Sequence, residues 1–272
     1  MIERWSELHH VRDTPSTWGV PRPFARPTSA VLWRLVMHDA RRERRPWRGC
    51  QSQGSFPAVS GLVAAAVALF ALVAGLAVHV HSTKGAPLGI DGWIYRHLAE
   101  RLPSAELHQV GGTGYRLIAR AGAPGFVTLT MMLTLAWAFR RRDVPGAVLA
   151  IVGPGAALVV AESVIKPLVG RANGGGGLMF PSGTVTVVTA SAAVAVLLVY
   201  RWAGVTRAII AALTLGIVPV VMFVTVVELQ WHLATDAIAG LALGIALVCA
   251  VAAILAVLEG ARLPSQVADL NA

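Results

Sequence analysis

The 21 residues from Ala58 to Val78 contain no charged side chain, and this run constrains the fold more than any other feature. About 20 apolar residues in a helix cross the roughly 30 Å hydrocarbon core of a bilayer. Similar runs follow at Ala123–Phe139, Val144–Ile165, Thr184–Tyr200, Ala208–Val227 and Thr235–Leu258. Hydrophobic residues make up 56% of the chain and charged residues only 14%, which excludes a soluble globular protein. The sequence therefore predicts an all-α, integral membrane six-helix bundle.

The basic residues predict how this bundle is oriented. Ten of the 23 lysines and arginines precede the first apolar run. Further arginines on the same side of a six-span topology are Arg140, Arg141, Arg142, Arg201, Arg207 and Arg262. Because basic residues concentrate on the cytoplasmic side of spans, we expect residues 1–56 to form a basic cytoplasmic tail. We expect the membrane domain at 57–260, in the cell (inner) membrane, and a short cytoplasmic tail at 261–272.

The opposite, outer side holds one long segment, His79–Gly122, and two short loops around Lys166–Pro181 and Glu228–Ala234. Within the long segment, Ile90–Leu102 places apolar residues at helical spacing. This spacing predicts a helix lying on the outer membrane interface. A second interpretation stays open, in which the helix covers the entrance to a site between the spans.

Polar residues at the outer ends of three spans are the main functional candidates, because such residues are costly in a membrane. They form three groups: Glu162, Lys166 and Arg171; Pro181, Ser182, Gly183 and Thr184; and Glu228, His232 and Asp236. Taken singly, each group has an ordinary structural explanation, as interface anchors, a helix start or a hydrogen-bonded pair. Their common depth favours a single site.

These groups suit the binding of a phosphate. Lys166 and Arg171 are suited to neutralise phosphoryl oxygens. The backbone amides of Ser182 and Gly183 lie where the fourth span begins, and the N-terminus of a helix attracts anions. No cluster has the spacing of metal ligands, so we expect neither a metal nor another cofactor.

A histidine and a carboxylate supply the remaining chemistry. His232 and Asp236 are four positions apart and would share one face of a helix. The carboxylate could then hold one ring nitrogen and leave the other free to attack phosphorus.

The order of these residues resembles the type 2 phosphatidic acid phosphatases, a family of six-helix membrane lipid phosphatases. Three segments carry the resemblance: Lys166-Pro-Leu-Val-Gly-Arg171, Pro181-Ser182-Gly183-Thr184, and His232 with Asp236. The resemblance implies that His232 becomes phosphorylated and that Asp236 supports it. It also implies phosphate binding by Lys166, Arg171, Ser182, Gly183 and Thr184.

The sequence departs from the family motifs at three places. Asn173-Gly174 stands where the first motif ends in Arg-Pro, and Thr225-Val226 stands where the third has Ser-Arg. Thr184 replaces the histidine that protonates the leaving group in the family. Glu162 or Glu228 could supply that proton instead, although an ion pair between Glu162 and Lys166 is the alternative for the former.

We therefore expect a membrane phosphatase acting on a lipid phosphate or diphosphate at the outer face. The alternative is a degenerate member that binds lipid phosphate, or a subunit of a membrane-protein complex, without turnover. A transporter would need polar residues deep in several spans, which the sequence lacks. The expected partners are the lipid substrate and the membrane, with no nucleic acid.

Overall fold

The computed structural model of the chain describes residues 56–101, 114–172 and 177–270. Side chains are described up to residue 97 in the first range and up to residue 261 in the last. The predicted basic tail therefore lies almost entirely outside the described residues and stays a prediction.

Helices account for nearly all of the described residues, which contain no β-strand beyond one isolated bridge between Ala172 and Leu178. The helices are α1 (Val59–Ser82), α2 (Gly89–Arg101), α3 (Ala123–Arg141), α4 (Val144–Val159), α5 (Lys166–Val169), α6 (Gly183–Ala203), α7 (Val205–Leu215), α8 (Ile217–Glu228) and α9 (Ala234–Leu270). π-Helical turns precede α3, at Ile118–Gly122, and join α4 to α5, at Val160–Ile165.

Six helical segments of the described chain are long and apolar enough to span a membrane. They are Val59–Ser82, Gly114–Arg141, Val144–Val169, Gly183–Ala203, Val205–Glu228 and Ala234–Ala261. The prediction of an all-α multi-pass membrane bundle is confirmed. The second span begins earlier than expected, inside the segment assigned to the outer loop. Pro124 is typical of a helix start, but here it follows a π-helical turn that continues the helix.

The central packing contact joins α6 to α9 through two glycines. A Cβ on Gly244 would lie 2.6 Å from the carbonyl oxygen of Thr186, and one on Gly240 would lie 2.8 Å from that of Ser182. Small residues four apart allow membrane helices to approach this closely. The contact holds the first two turns of α6 against the first part of α9, and the Ser182 amide donates to the Asp236 carbonyl at 3.0 Å.

A buried ion cluster ties three spans together at the other end of the bundle. The Arg201 guanidinium contacts the Asp143 carboxylate at 2.9 Å and the Glu259 carboxylate at 2.6 Å. Burial raises the pKa of Asp143, but hydrogen bonds from Arg201, Trp202 and the Gly146 amide outweigh it and leave that pKa below its usual value. Arg201 is thus an internal structural residue. It gives weaker evidence for the cytoplasmic side of the membrane than an exposed arginine would.

The predicted interfacial helix is present as α2, and it also joins the bundle. Ile90 and Trp93 are exposed on it, as expected for a helix at a membrane surface. Asp91, by contrast, is buried and accepts a hydrogen bond from the Thr235 amide of α9 at 2.7 Å. The helix is therefore anchored beside the start of the sixth span.

Candidate functional site

The candidate residues meet at one end of the bundle, on elements that are distant in sequence. Lys166 begins α5 at the end of the third span, and Ser182 precedes α6. His232 lies in the turn between α8 and α9, and Asp236 lies in the first turn of α9.

Lys166 forms an ion pair with Glu162. Its Nζ atom lies 2.8 Å from Oε1 and 2.9 Å from Oε2 of that carboxylate. The ion-pair alternative for Glu162 is confirmed. The two residues are four apart across the π-helical turn, the separation at which oppositely charged side chains meet on a helix.

The same carboxylate lies against Gly183 at the beginning of α6. A Cβ at position 183 would overlap Oε1 of Glu162, so any larger residue would force the carboxylate away. Glycine therefore lets this flexible side chain from the third span approach the start of α6. Thr184, the next residue, is half-buried in the first turn of the helix.

Ser182 is the residue immediately before α6 and is fully buried. Its amide, predicted to bind phosphate, is already bonded to the Asp236 carbonyl. Its hydroxyl has no hydrogen-bond partner among the described residues. A buried hydroxyl without a partner is unusual in a folded protein and marks a place where a polar ligand would be stabilised.

His232 and Asp236 lie close together, although not on one helical face as predicted. His232 precedes the helix, and its Nδ1 atom is 3.9 Å from Oδ2 of Asp236, beyond hydrogen-bond length. The Asp236 carboxylate instead accepts from the Leu233 amide at 2.9 Å. Nδ1 of His232 has no hydrogen-bond partner among the described residues.

Burial and a neighbouring cation lower the pKa of His232 to about 4. Desolvation is the larger cause and the charge of Lys166 the second, while a hydrogen bond to the Met179 backbone and the charge of Glu162 act in the opposite direction. The ring is therefore neutral at physiological pH, as a nucleophile requires. The dependence on Lys166 and Glu162 also means that these charges lie near the ring.

We expect the His232 ring to titrate with a midpoint near pH 4 rather than the ordinary 6.5. Removing the lysine charge in Lys166→Met should raise the midpoint, because a positive neighbour disfavours a second positive charge. NMR of histidine-labelled protein in detergent measures this. Lys84→Met, which removes the chain's other lysine, is the matched control and should leave the midpoint unchanged. A wild-type midpoint at 6 or above would contradict the geometry described here.

Arg171 is engaged in a buried network and does not face open space. Arg171 is 2% exposed, and its guanidinium contacts the Asp236 carboxylate at 2.7 Å. Its remaining contacts are the Gly85 and Ala86 carbonyls, the Thr235 hydroxyl and the Asp91 carboxylate. The structure thus brings Arg171 to the back of Asp236, with every nitrogen of the guanidinium in contact with an oxygen of the protein.

The sequence interpretation missed Asp91 and Thr235 as parts of this network. Asp91 accepts from both the amide and the hydroxyl of Thr235, at 2.7 and 3.2 Å. The sequence places Asp91 within the predicted interfacial helix Ile90–Leu102 and gives no sign that it is buried.

A cavity of about 310 Å³ adjoins His232 between α2, the end of α8 and the start of α9. Gln230 donates a hydrogen bond to the Tyr95 hydroxyl at 2.7 Å on its wall. Other lining residues are Pro87, Asp91, Val227 and Leu233. This supports the second interpretation of α2, as a cover beside a site.

The motif departures have different structural outcomes. Val226 is fully buried and packs in an apolar cluster with Val185 and Met222, so no cation is present there. Asn173 and Gly174 lie outside the described residues. Within the described part of the chain, no group of histidine, cysteine and acidic residues could hold a metal ion.

Comparison with known proteins identifies a similar fold but no family to which the chain belongs. No protein-family model matches the chain, and no curated protein matches it. Among solved structures, it is similar to a transmembrane PAP2-type phosphatidylglycerolphosphate phosphatase from Bacillus subtilis. The two are 19% identical with a TM-score of 0.52, and the match covers 68% of this chain and 93% of that one. The chain is thus a multi-pass membrane protein with a PAP2-like fold.

Proposed function

We propose that this protein is a membrane phosphatase that hydrolyses a lipid phosphate or diphosphate through a histidine nucleophile. One observation carries the proposal. Lys166, the N-terminus of α6 and a neutral His232 come together at one end of a bundle with a PAP2-like fold. A cation, a helix N-terminus and a nucleophile are the parts needed to bind a phosphate and attack it.

In this mechanism, Lys166 and the first turn of α6, with Ser182, Gly183 and Thr184, bind the phosphoryl oxygens. A ring nitrogen of His232 attacks phosphorus, and a P–N bond forms as the P–O bond to the leaving group breaks. The leaving oxygen takes a proton from water. A second attack by water or the resulting hydroxide breaks the P–N bond, which releases inorganic phosphate and restores the neutral ring.

Asp236 and Arg171 act as positioning residues in this proposal. Asp236 supports the ring from 3.9 Å, a separation that can shorten when a phosphate binds. Arg171 holds Asp236 in place at 2.7 Å instead of binding the phosphate itself.

We place the site on the outer face of the cell membrane. Arg140, Arg141, Arg142 and Arg207 lie at the opposite end of their spans from Lys166 and His232, which supports this orientation. An impermeant thiol reagent applied to intact cells should fail to label Arg142→Cys. Labelling of this variant would show that the opposite orientation is correct.

The second candidate is a protein that binds lipid phosphate without turnover, alone or in a membrane complex. The buried Val226 favours this candidate, because position 226 lacks the arginine that the PAP2 motif would place there. The engaged guanidinium of Arg171 favours it as well.

Phosphate release from a panel of lipid mono- and diphosphates by the purified protein tests the proposal. We expect release from at least one lipid diphosphate, because its leaving group needs less protonation than an alkoxide. His232→Ala should abolish it. Ser163→Ala, on an exposed residue of the same end of the third span, should not. Binding of a lipid phosphate without release from any lipid would favour the second candidate.

A further inference from the structure

The Glu162 carboxylate lies where an incoming phosphate would meet the fourth span. It contacts the backbone of Gly183 so closely that a Cβ there would overlap Oε1. Both of its oxygens also lie within 3 Å of Lys166 Nζ. The carboxylate therefore occupies the position between a cation and a helix N-terminus, which is the position that binds anions.

Two buried polar atoms without partners belong to the same candidate site. The Ser182 hydroxyl, in a residue that is fully buried, and Nδ1 of His232 both lack hydrogen-bond partners among the described residues. Each would be stabilised by an anion with more oxygen atoms than a carboxylate has. A tetrahedral phosphate has that larger number of acceptors, whereas a carboxylate has two.

We propose that Glu162 is an internal competitor for the phosphate site and thereby sets which phosphates can bind. This inference rests on the function proposed above. A ligand must take Lys166 from Glu162 and displace its carboxylate from Gly183. The displacement costs the same free energy for every ligand, so it lowers all affinities alike. Lipid diphosphates and dianionic monophosphates, which Lys166 attracts most strongly, are then the ligands that still bind, whereas phosphodiesters, which carry one charge, bind too weakly.

The π-helical turn gives this exchange a structural basis. Glu162 lies inside Val160–Ile165, and Lys166 follows immediately after it. π-Helical turns are wider than α-helical ones and are frequent at functional sites. The Glu162 side chain is 43% exposed, so it is not enclosed by packed residues and has room to change its rotamer.

Phosphate binding in the absence of turnover gives the test. The dissociation constant of inorganic phosphate is measured by titration calorimetry on the full-length protein in detergent. Glu162→Ala and the isosteric Glu162→Gln should each bind phosphate about tenfold more tightly or better, because a like charge opposes the ligand in the wild type. Ser163→Ala is the matched control from the same turn. Adding Lys166→Met to Glu162→Ala should remove the gain.

The direction of change separates two roles for Glu162. If the carboxylate only orients Lys166 for the ligand, both variants bind phosphate more weakly or unchanged, and the proposal is overturned. Tighter binding with no release from any lipid would support the internal competitor while contradicting the phosphatase. Phosphate release by the wild type, together with unchanged phosphate affinity in both variants, would support the phosphatase and contradict the internal competitor.

The same variants test selectivity. A phosphodiester lipid too weakly attracted to displace the carboxylate from the wild type should bind measurably to Glu162→Ala. Equal binding of that lipid to the wild type and to Glu162→Ala would contradict the proposal.

Discussion

Replacing Thr184 by histidine is expected to raise the rate of phosphate release from lipid monophosphates by about 10²- to 10⁴-fold, the usual contribution of a positioned general acid. Thr184 is half-buried in the first turn of α6, directly after the glycine that contacts Glu162. Its hydroxyl hardly ionises and cannot protonate an alkoxide. A histidine at this position could donate that proton.

The gain should depend on the leaving group and on the nucleophile. Lipid diphosphates should gain less, because their leaving group needs less protonation. Thr184→His combined with His232→Ala should show no gain, since no phosphohistidine can form. Thr184→Ser controls for substitution at this position. Steady-state phosphate release at saturating lipid gives the rates, and a folded Thr184→His protein inert on every lipid would contradict the phosphatase.

Arg171→Met should lower the free energy of unfolding by about 3 to 5 kcal/mol, the cost of removing one partner from a buried ion pair. The Asp236 and Asp91 carboxylates would lose their shared cation while 0% and 3% exposed. The carbonyls of Gly85 and Ala86 would also lose a donor. Methionine keeps much of the side-chain volume, so lost packing would contribute little.

Denaturant titration in detergent micelles measures this loss. Arg207→Met, at an exposed position of α7, is the matched control and should change the unfolding free energy by about 0.5 kcal/mol or less. Adding Asp236→Asn to Arg171→Met should recover part of the loss, because one buried charge disappears. If Arg171→Met were as stable as the control while losing phosphate affinity, Arg171 would be a ligand-binding residue and not a structural one.

The fold was largely predictable because its main determinant is local. Each apolar run is long enough to span a bilayer by itself, so six spans follow from the sequence without any knowledge of their packing. The start of the second span was not predictable in the same way. Pro124 has the local signature of a helix start, and only the preceding π-helical turn shows that the helix continues.

The sequence was sufficient to predict which residues lie at this end of the bundle, but not which of them contact each other. Depth in the membrane is a local property, so Lys166, His232 and Asp236 could be assigned to one end of the bundle. Partners across the fold could not. Asp91 meets Thr235 across 144 positions, and no pattern in a single sequence identifies that contact. Arg171 was consequently assigned to the phosphate, although its donors are directed to Asp236 and the loop after α1.

Gly240 and Gly244 of α9, which contact α6, have a consequence for how a lipid could enter the site. These glycines bring the two helix backbones into direct contact, and the Ser182 amide is bonded across that contact. We therefore expect the start of α6 to keep its position relative to the start of α9. Lys166 and Glu162 belong to the third span, where a π-helical turn interrupts the regular hydrogen-bond ladder. We thus expect the α6–α9 side of the site to be the more rigid one and the third span to move more when a ligand is admitted or released.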